Sequence, residues 1–298
     1  MGLGLTRPQI GILSLAHGPF AQLLETWRRI EALGFASLHL ADHLIYPRLI
    51  SYECWTALGA MAQGTTRVRI GALGNPVTFR HPALLAHHAS TADRMSGGRF
   101  ELGIGAGGAG GDEVALGHDP MPAGERVGRL EECLEICDRL LRGEAVAHAG
   151  RRYRVRTAVP AGIQRPRPPI AVAARGPRAL TVAARYADIW INQGGRDPGT
   201  DPADTFTVAV RRVVAERTLL DAACAALGRD PRAIRRRVLD HRATPAPFGS
   251  LDAFDEFIGR FVEIGMDEFV FRWPEAPDGS RDPVAERVLE RVAAERLG

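Results

Sequence analysis

Strand-like and helix-like patterns alternate along almost the whole of this chain, and no other feature limits its fold so sharply. Short apolar runs occur at Ile10-Gly11-Ile12-Leu13-Ser14-Leu15, Ser37-Leu38-His39-Leu40-Ala41, Val68-Arg69-Ile70-Gly71-Ala72-Leu73 and Arg99-Phe100-Glu101-Leu102-Gly103-Ile104. Further runs follow at Pro169-Ile170-Ala171-Val172-Ala173, Asp188-Ile189-Trp190-Ile191-Asn192, residues 234–239 and Phe269-Val270-Phe271. Helical periodicity fills the intervals at residues 20–33, 52–63, 82–95, 125–141, 177–185, 202–227, 251–264 and 283–297. In the first of these, Leu23, Leu24, Trp27, Ile30 and Leu33 share one face, as an amphipathic helix requires. Gly34 stands where a left-handed C-terminal cap belongs, and Pro82 where a helix loses nothing for lacking an N–H.

Strict alternation of this kind gives a parallel sheet with helices outside it. Eight units in 298 residues match a closed (β/α)8 TIM barrel. The spacing breaks once, between strand four and strand five. An insertion is expected there, around the glycine-rich stretch after Ile104 and residues 146–155. No linker or internal repeat divides the chain, so residues 1–298 are expected to form a single domain.

Composition removes several chemistries. The 38 Lys+Arg residues are all arginine. Without lysine there is no Schiff base to pyridoxal phosphate, no Walker-A lysine and no Ser-x-x-Lys pair. The runs Arg151, Arg152, Arg154, Arg156 and Arg232, Arg235, Arg236, Arg237 carry almost no interleaved aromatic residues. They read as solvated faces, and no nucleic-acid partner is expected. No apolar run reaches ~18 residues, so no membrane span is expected. The N-terminus lacks a signal-peptide pattern, and the expected compartment is the cytoplasm. Cys54, Cys133, Cys137 and Cys224 form no C-x-x-C pair and read as buried thiols.

In such barrels the chemistry sits at the C-terminal strand ends. Those positions are His17, Asp42-His43, Leu73-Gly74-Asn75-Pro76, Gly105-Ala106-Gly107-Gly108, Ala174-Arg175-Gly176-Pro177, Asn192-Gln193 and Arg272-Trp273. The set is poor in carboxylates and rich in glycine. It suits a large planar or phosphorylated ligand better than hydrolysis by two acids. Arg175-Gly176-Pro177-Arg178 reads equally as a phosphate clamp at a helix N-terminus or as an ordinary turn with solvated arginines. Gly103–Gly108 fits G-x-G-x-x-G but at the fourth strand, which argues against a dinucleotide fold. His39 and His43 make an H-x-x-x-H without the glutamate of a zinc motif, so no metal is expected. His87-His88, mid-helix, reads as structural. Asp42-His43 is the best acid–base pair; a capping aspartate beside a satisfied histidine is the equal alternative.

Three stretches together resemble the bacterial luciferase-like family of flavin- and deazaflavin-dependent oxidoreductases. The longest runs from Gly71 to Gly107: a strand, Asn75-Pro76-Val77-Thr78-Phe79-Arg80-His81-Pro82, a helix, then Met95-Ser96-Gly97-Gly98-Arg99-Phe100-Glu101-Leu102-Gly103-Ile104-Gly105. The second opens at Gly124-Glu125-Arg126-Val127 and closes at Gly150-Arg151-Arg152-Tyr153, and the third runs from Pro169-Ile170 to Ala187-Asp188-Ile189-Trp190.

The resemblance implies a (β/α)8 barrel holding coenzyme F420, with FMN as the alternative. The ring would lie across Leu73, Gly74, Asn75, Gly105, Ala106, Gly107, Ala173 and Ala174. A non-proline cis peptide is implied at Leu73–Gly74, and the cofactor phosphate at Arg175, Gly176 and Arg178. Asp42-His43 resembles the pair found after strand two in members using F420. His43 would move the proton that accompanies hydride transfer, Asp42 would orient it and contact the cofactor, and His17, Tyr46 and Asn192 would face a small-molecule substrate. Members that carry an acid directly after the strand-four glycines differ from this chain, which has Gly108, with Asp112 and Glu113 further on. The activities implied are an F420-dependent hydride transfer, an FMN monooxygenase served by a separate reductase, and, ranked below both, a non-catalytic flavin-binding barrel. The expected assembly is a homodimer.

Overall fold

The computed structural model describes residues 7–44, 52–108, 111–194, 206–240, 246–274 and 282–297. Eight parallel strands close into a barrel in the order β1 (Gln9–Ser14), β10 (Glu268–Arg272), β9 (Arg235–Asp240), β8 (Ile189–Asn192), β7 (Ile170–Ala173), β4 (Phe100–Gly105), β3 (Arg69–Pro76) and β2 (Ser37–Ala41), which returns to β1. The eightfold barrel expected from the alternation is therefore present, and the arginine-bearing run at 234–239 is a strand, β9.

The outer helices are α1 (Phe20–Ala32), α2 (Cys54–Gly64), α3 (Pro82–Met95), α5 (Ala123–Leu141), α6 (Pro177–Tyr186), α7 (Phe206–Ala226), α8 (Leu251–Glu263) and α9 (Pro283–Val292). Their ends follow local chemistry. Proline opens α3, α6 and α9. Glu53, Ser250 and Asp282 accept first-turn N–H groups of α2, α8 and α9, which meets donors that a helix leaves unpaired. Gly34 takes φ +85° just after α1. The insertion between β4 and β7 contains one short helix, α4 (Gly111–Ala115), then α5 and an antiparallel hairpin of β5 (Val146–Ala149) and β6 (Arg154–Thr157).

Two apolar regions follow from the alternation of strand side chains. The larger fills the space between barrel and helices, with Trp27, Phe100, Trp190, Phe261, Phe269 and Phe271 fully buried. The smaller lies inside the barrel and is built from Leu13, Leu73, Ala171, Ile189, Ile191 and Val270. Beneath it, towards the N-terminal strand ends, the interior is ionic. Arg237 donates to Glu268 Oε2 from Nε at 2.8 Å and Nη2 at 2.7 Å, and its Nη1 bonds Glu101. Arg235 bonds Glu268, Arg69 Nε donates to Glu101 at 3.4 Å, and His39 Nε2 lies 3.4 Å from Glu101.

This layer corrects the reading of the second arginine run as a solvated face for Arg235, Arg236 and Arg237, while Arg232 is solvated as expected. On β9 the side chains alternate, so Arg235 and Arg237 turn inward to Glu268, while Arg236 bonds Asp221 on α7. The flanking cations hold the Glu101 carboxyl well below the usual carboxylate range, against the opposing effect of burial. Burial pushes His39 down to about 3, and Arg237 and Arg69 add to that against the pull of Glu101. At neutral pH the imidazole is uncharged and the Glu101 contact is not an ion pair.

In the first arginine run Arg151, Arg154 and Arg156 are exposed, as a solvated face requires, and only Arg152 is tied down. Arg152 donates to Glu125 Oε1 and Oε2 at 2.9 and 3.0 Å and to Glu132 at 2.9 Å. All four cysteines are buried thiols, with Cys133 and Cys137 sulfurs 4.0 Å apart.

Candidate active site

The C-terminal barrel rim brings most of the sequence candidates into one arc. Strand register aligns Ala41 with Leu73, Pro76 with Gly105, Gly105 with Ala173 and Ala173 with Ile191. At the centre of the arc side chains end at or before Cβ. A Cβ built on Gly105 would lie 3.7 Å from Ala173 Cβ and from Gly74 Cα, and one on Gly74 would lie 3.9 Å from Ala173 Cβ. Gly74, Gly105 and Ala173 thus form a floor of bare backbone and one methyl group over the apolar plug. Gly74 and Ala173 are half-buried, at the ends of strands whose bodies are buried.

The floor is shaped by a bulge. The β3–β4 register shifts between Ala72 and Asn75, and Gly74 takes φ +76°, a region that favours glycine. The bulge corrects the expectation of a cis bond at Leu73–Gly74. The cis peptide among the described residues is Arg165–Pro166. An extra residue in β3, with glycine left-handed, offsets the chain without an isomerised bond.

Asn75 follows the bulge and is buried. Its Nδ2 donates to Gly103 O at 2.6 Å and its Oδ1 accepts from Trp55 Nε1 at 3.0 Å. This amide is committed to the scaffold, so Asn75 shapes the floor from behind. Leu73 is buried in the plug. Ala106 and Gly107 continue the rim, where a Cβ on Gly107 would come 2.8 Å from Glu113 Oε1.

Asp42 and His43 take different hydrogen-bond partners, although the charge of His43 acts on Asp42. The Asp42 side chain is 1% exposed and bonds Arg80, whose Nη1 and Nη2 reach its two oxygens, the second at 3.3 Å. Arg80 Nη2 also donates to Glu53 at 2.8 Å. Burial pushes the Asp42 carboxyl above its ordinary range, and the Arg80 guanidinium opposes this. His43 is bonded by a different acid: Nδ1 lies 2.7 Å from Asp112 Oδ2. The other oxygen, Oδ1, accepts the Leu44 N–H at 3.0 Å. Glu113, beside it on α4, accepts from Gly108 N at 3.0 Å and Thr78 Oγ1 at 3.2 Å. The acid missing from position 108 in the sequence is therefore bonded to that position's backbone from five residues on. His39 and His43 occupy different surroundings, one in the ionic layer and one at the rim, so they do not form a two-histidine site.

On the opposite side of the arc, Gly176 takes φ +72° and ψ +158° before α6, and no side chain caps that helix. A Cβ at Gly176 would meet nothing within 4 Å. Arg175 Nε donates to Glu216 Oε1 at 2.9 Å, and Asn192 Nδ2 donates to Glu216 Oε2 at 2.5 Å. Arg178 Nη1 donates to Gly124 O at 3.0 Å. Ala174 is buried, with its carbonyl taken by Trp190 Nε1 at 3.0 Å. His17 is buried just beyond β1. Tyr46 lies outside the described residues. Sequence reasoning missed Arg80 and Glu216 as site residues, and gave Asp112 and Glu113 no role. Apart from the Gly108 N–H that Glu113 accepts from five residues back, their partners lie far along the chain, and only Arg80 stands inside the Asn75–Pro82 motif.

Comparison with known proteins agrees with this architecture. The structure is similar to the coenzyme F420-dependent tetrahydromethanopterin reductase of Methanopyrus kandleri (TM-score 0.76, 17% identity, 97% of this chain and 98% of that one). It is similar to a monooxygenase of Streptomyces bottropensis to the same degree (TM-score 0.75, 20% identity, 97% and 98%). At these identities the likeness shows the fold. Among curated sequences, an F420-dependent glucose-6-phosphate dehydrogenase of Microbacterium testaceum is 36% identical over 181 residues, 59% of this chain and 54% of that protein. The chain spans about half the length of the curated relatives it matches. Residues 3–260 match the family model described as luciferase-like monooxygenase. With most of its length matched and the barrel in place, the chain belongs to the luciferase-like monooxygenase family.

Proposed function

We infer that this protein is a coenzyme F420-dependent oxidoreductase that passes hydride between the deazaflavin and a small organic alcohol or carbonyl compound. The observation that carries the reading is the floor at Gly74, Gly105 and Ala173, flanked by His43. A planar ring needs a flat apolar surface with no side chain rising from it, and these three residues offer one. The uncapped start of α6 beside Gly176 leaves room for the cofactor's phosphate at main-chain N–H groups. The 36% identity to a protein named as F420-dependent supports the deazaflavin over FMN. The glucose-6-phosphate of that name is not carried over, because the match covers about half of that protein.

The residues present fit such a group. Gly74, Gly105 and Ala173 would support the ring, and Gly176 with the first turn of α6 would hold its phosphate. When bound, a deazaflavin supplies a two-electron acceptor or donor of hydride. The chain supplies the rest. Leu13, Ile191 and Val270 close the barrel beneath the floor and exclude water from that side. Arg80 holds Asp42 at the end of β2, which sets the path of the next residue, His43. The His43 imidazole holds or gives the proton of a substrate hydroxyl.

A fluorescence titration of the purified protein tests the assignment. Saturable micromolar binding of F420, with weaker FMN binding, is expected. Tight FMN binding without F420 affinity would replace it with the monooxygenase reading.

A further inference from the structure

We propose that Asp112 is the positioning residue of the active site: it fixes His43 in the tautomer that carries its proton on Nδ1, leaving Nε2 as the atom that exchanges a proton with substrate. The proposal rests on the reading of His43 as the proton-handling group and extends it to a residue on a separate segment. His43 belongs to the loop after β2, and Asp112 to the first turn of α4. The Asp112 side chain is 13% exposed and the His43 side chain 50%, so a largely buried acid holds a half-exposed ring.

Both Asp112 oxygens are used. Oδ1 accepts the Leu44 N–H at 3.0 Å and Oδ2 meets His43 Nδ1 at 2.7 Å. An ionised carboxylate only accepts hydrogen bonds. The ring nitrogen facing it must therefore be the donor, which places the lone pair of the neutral imidazole on Nε2. The main-chain bond to Leu44 keeps the carboxylate from rotating away. In the oxidising direction the substrate O–H bond breaks and its proton becomes a second ring N–H at Nε2. The electron pair left on oxygen closes the carbonyl as hydride departs to the cofactor. A bound deazaflavin would take up that hydride as the alcohol is oxidised, and reduction of a carbonyl would run the same transfers backwards.

Substitution at Asp112 separates positioning from a merely structural role. In Asp112→Asn the Leu44 N–H still requires an acceptor, so the amide oxygen faces Leu44 and the NH2 group faces His43. The ring nitrogen at Nδ1 must then accept, and the tautomer reverses. In Asp112→Ala neither tautomer is imposed. The expected order of kcat is wild type, then Ala, then Asn, with Asn down about a thousandfold and Ala about tenfold to a hundredfold, and KM within about threefold. A structural role predicts the opposite order, since Asn preserves the bond to Leu44.

Nitrogen shifts of 15N-labelled histidine in the cofactor-free chain read the tautomer directly, with His43→Ala assigning the signal among the nine histidines. Expected are Nδ1–H in wild type and Nε2–H in Asp112→Asn. An Nε2–H ring in the wild type, or an Asn variant faster than Ala, would overturn the proposal. The tautomer is observed without any bound cofactor, so failure of F420 to bind sinks the functional reading and leaves this result standing on its own.

Discussion

Replacing Gly105 by leucine tests the floor on which the functional reading depends. A Cβ at this position meets Ala173 Cβ, Gly74 Cα and Gly74 O, all at 3.7 Å. That is ordinary contact, and Gly105 does not occupy the left-handed backbone region, so the first added carbon is accommodated. The remaining carbons cannot sink, because those same atoms already lie at contact distance. They must stand above the floor, where a ring would lie. Loss of about 100 Å² of buried apolar surface at about 25 cal/mol per Å² amounts to about 2.5 kcal/mol, or roughly a 70-fold rise in Kd. The assay is fluorescence titration of F420 with wild-type and variant protein, alongside circular dichroism and thermal unfolding to establish that both are folded. A variant that is natively folded and binds within threefold of wild type would refute the placement of the ring. Gly103→Ala provides the contrast. Its Cβ would come 2.1 Å from Ala72 O and 2.8 Å from Gly74 N. Those are backbone atoms, so this smaller change is expected to cost folding first.

Four further outcomes are expected. Arg237→Met leaves Glu101 and Glu268 facing each other in the interior and should cost about 3–5 kcal/mol in urea unfolding; a loss under 1 kcal/mol would show that the layer contributes little. His39→Gln should flatten the acid side of the stability curve. The native ring resists protonation until about 3 whereas the unfolded ring takes a proton near 6.5, so its stabilising contribution is complete above that value and drains away as pH falls towards 3, by about 1.4 kcal/mol per pH unit; unfolding at pH 6.5, 5.5 and 4.5 reads the slope. Arg80→Met strips the buried Asp42 of its partner and should lower stability by about 3 kcal/mol, measured by thermal unfolding, while Arg80→Met and Asp42→Asn together should recover part of it. Gly176→Ala forces a side chain into a backbone region reserved for glycine, with a cost of about 1–3 kcal/mol and weaker F420 binding in the same titration.

The barrel was legible because the code for it is local. Each strand and helix announces itself within a few residues, and strict alternation leaves few ways to arrange them. The bulge at Gly74 was not, since inserting one residue leaves the apolar pattern of β3 nearly unchanged and shows only in its register with β4. The ionic layer was misread for a related reason. Arg235 and Arg237 are two apart on a strand, and Glu101 and Glu268 are acids within otherwise apolar strands. Those period-two charges were the available signal, but pairing Arg237 with Glu101 joins residues 136 apart. Asp42-His43 stands on the rim, but adjacency in sequence did not reveal that each residue takes its hydrogen bond from elsewhere. Successive residues at a strand end point in different directions, so Asp42 turned to Arg80 and His43 to an acid 69 positions on.

The two ends of this barrel solve opposite problems, and one solution makes the other possible. A rim that must receive a flat ring cannot fill itself with side chains, so Gly74, Gly105 and Ala173 contribute little packing of their own. Closure has to be secured lower down. Gly71 and Gly103 let β3 and β4 come close enough that a Cβ at either would strike backbone oxygen, at 2.5 and 2.1 Å respectively. Long side chains from β4, β9 and β10 then meet across the interior. Glu101, Arg237 and Glu268 each need partners because each is buried and charged, and a slip of β9 by one residue would turn Arg237 out of the interior and take it from both acids. The ionic layer thus penalises alternative closures more than it adds stability. With the strand alignment held from beneath, Leu13, Ile191 and Val270 can seal the middle, and the rim is free to remain bare.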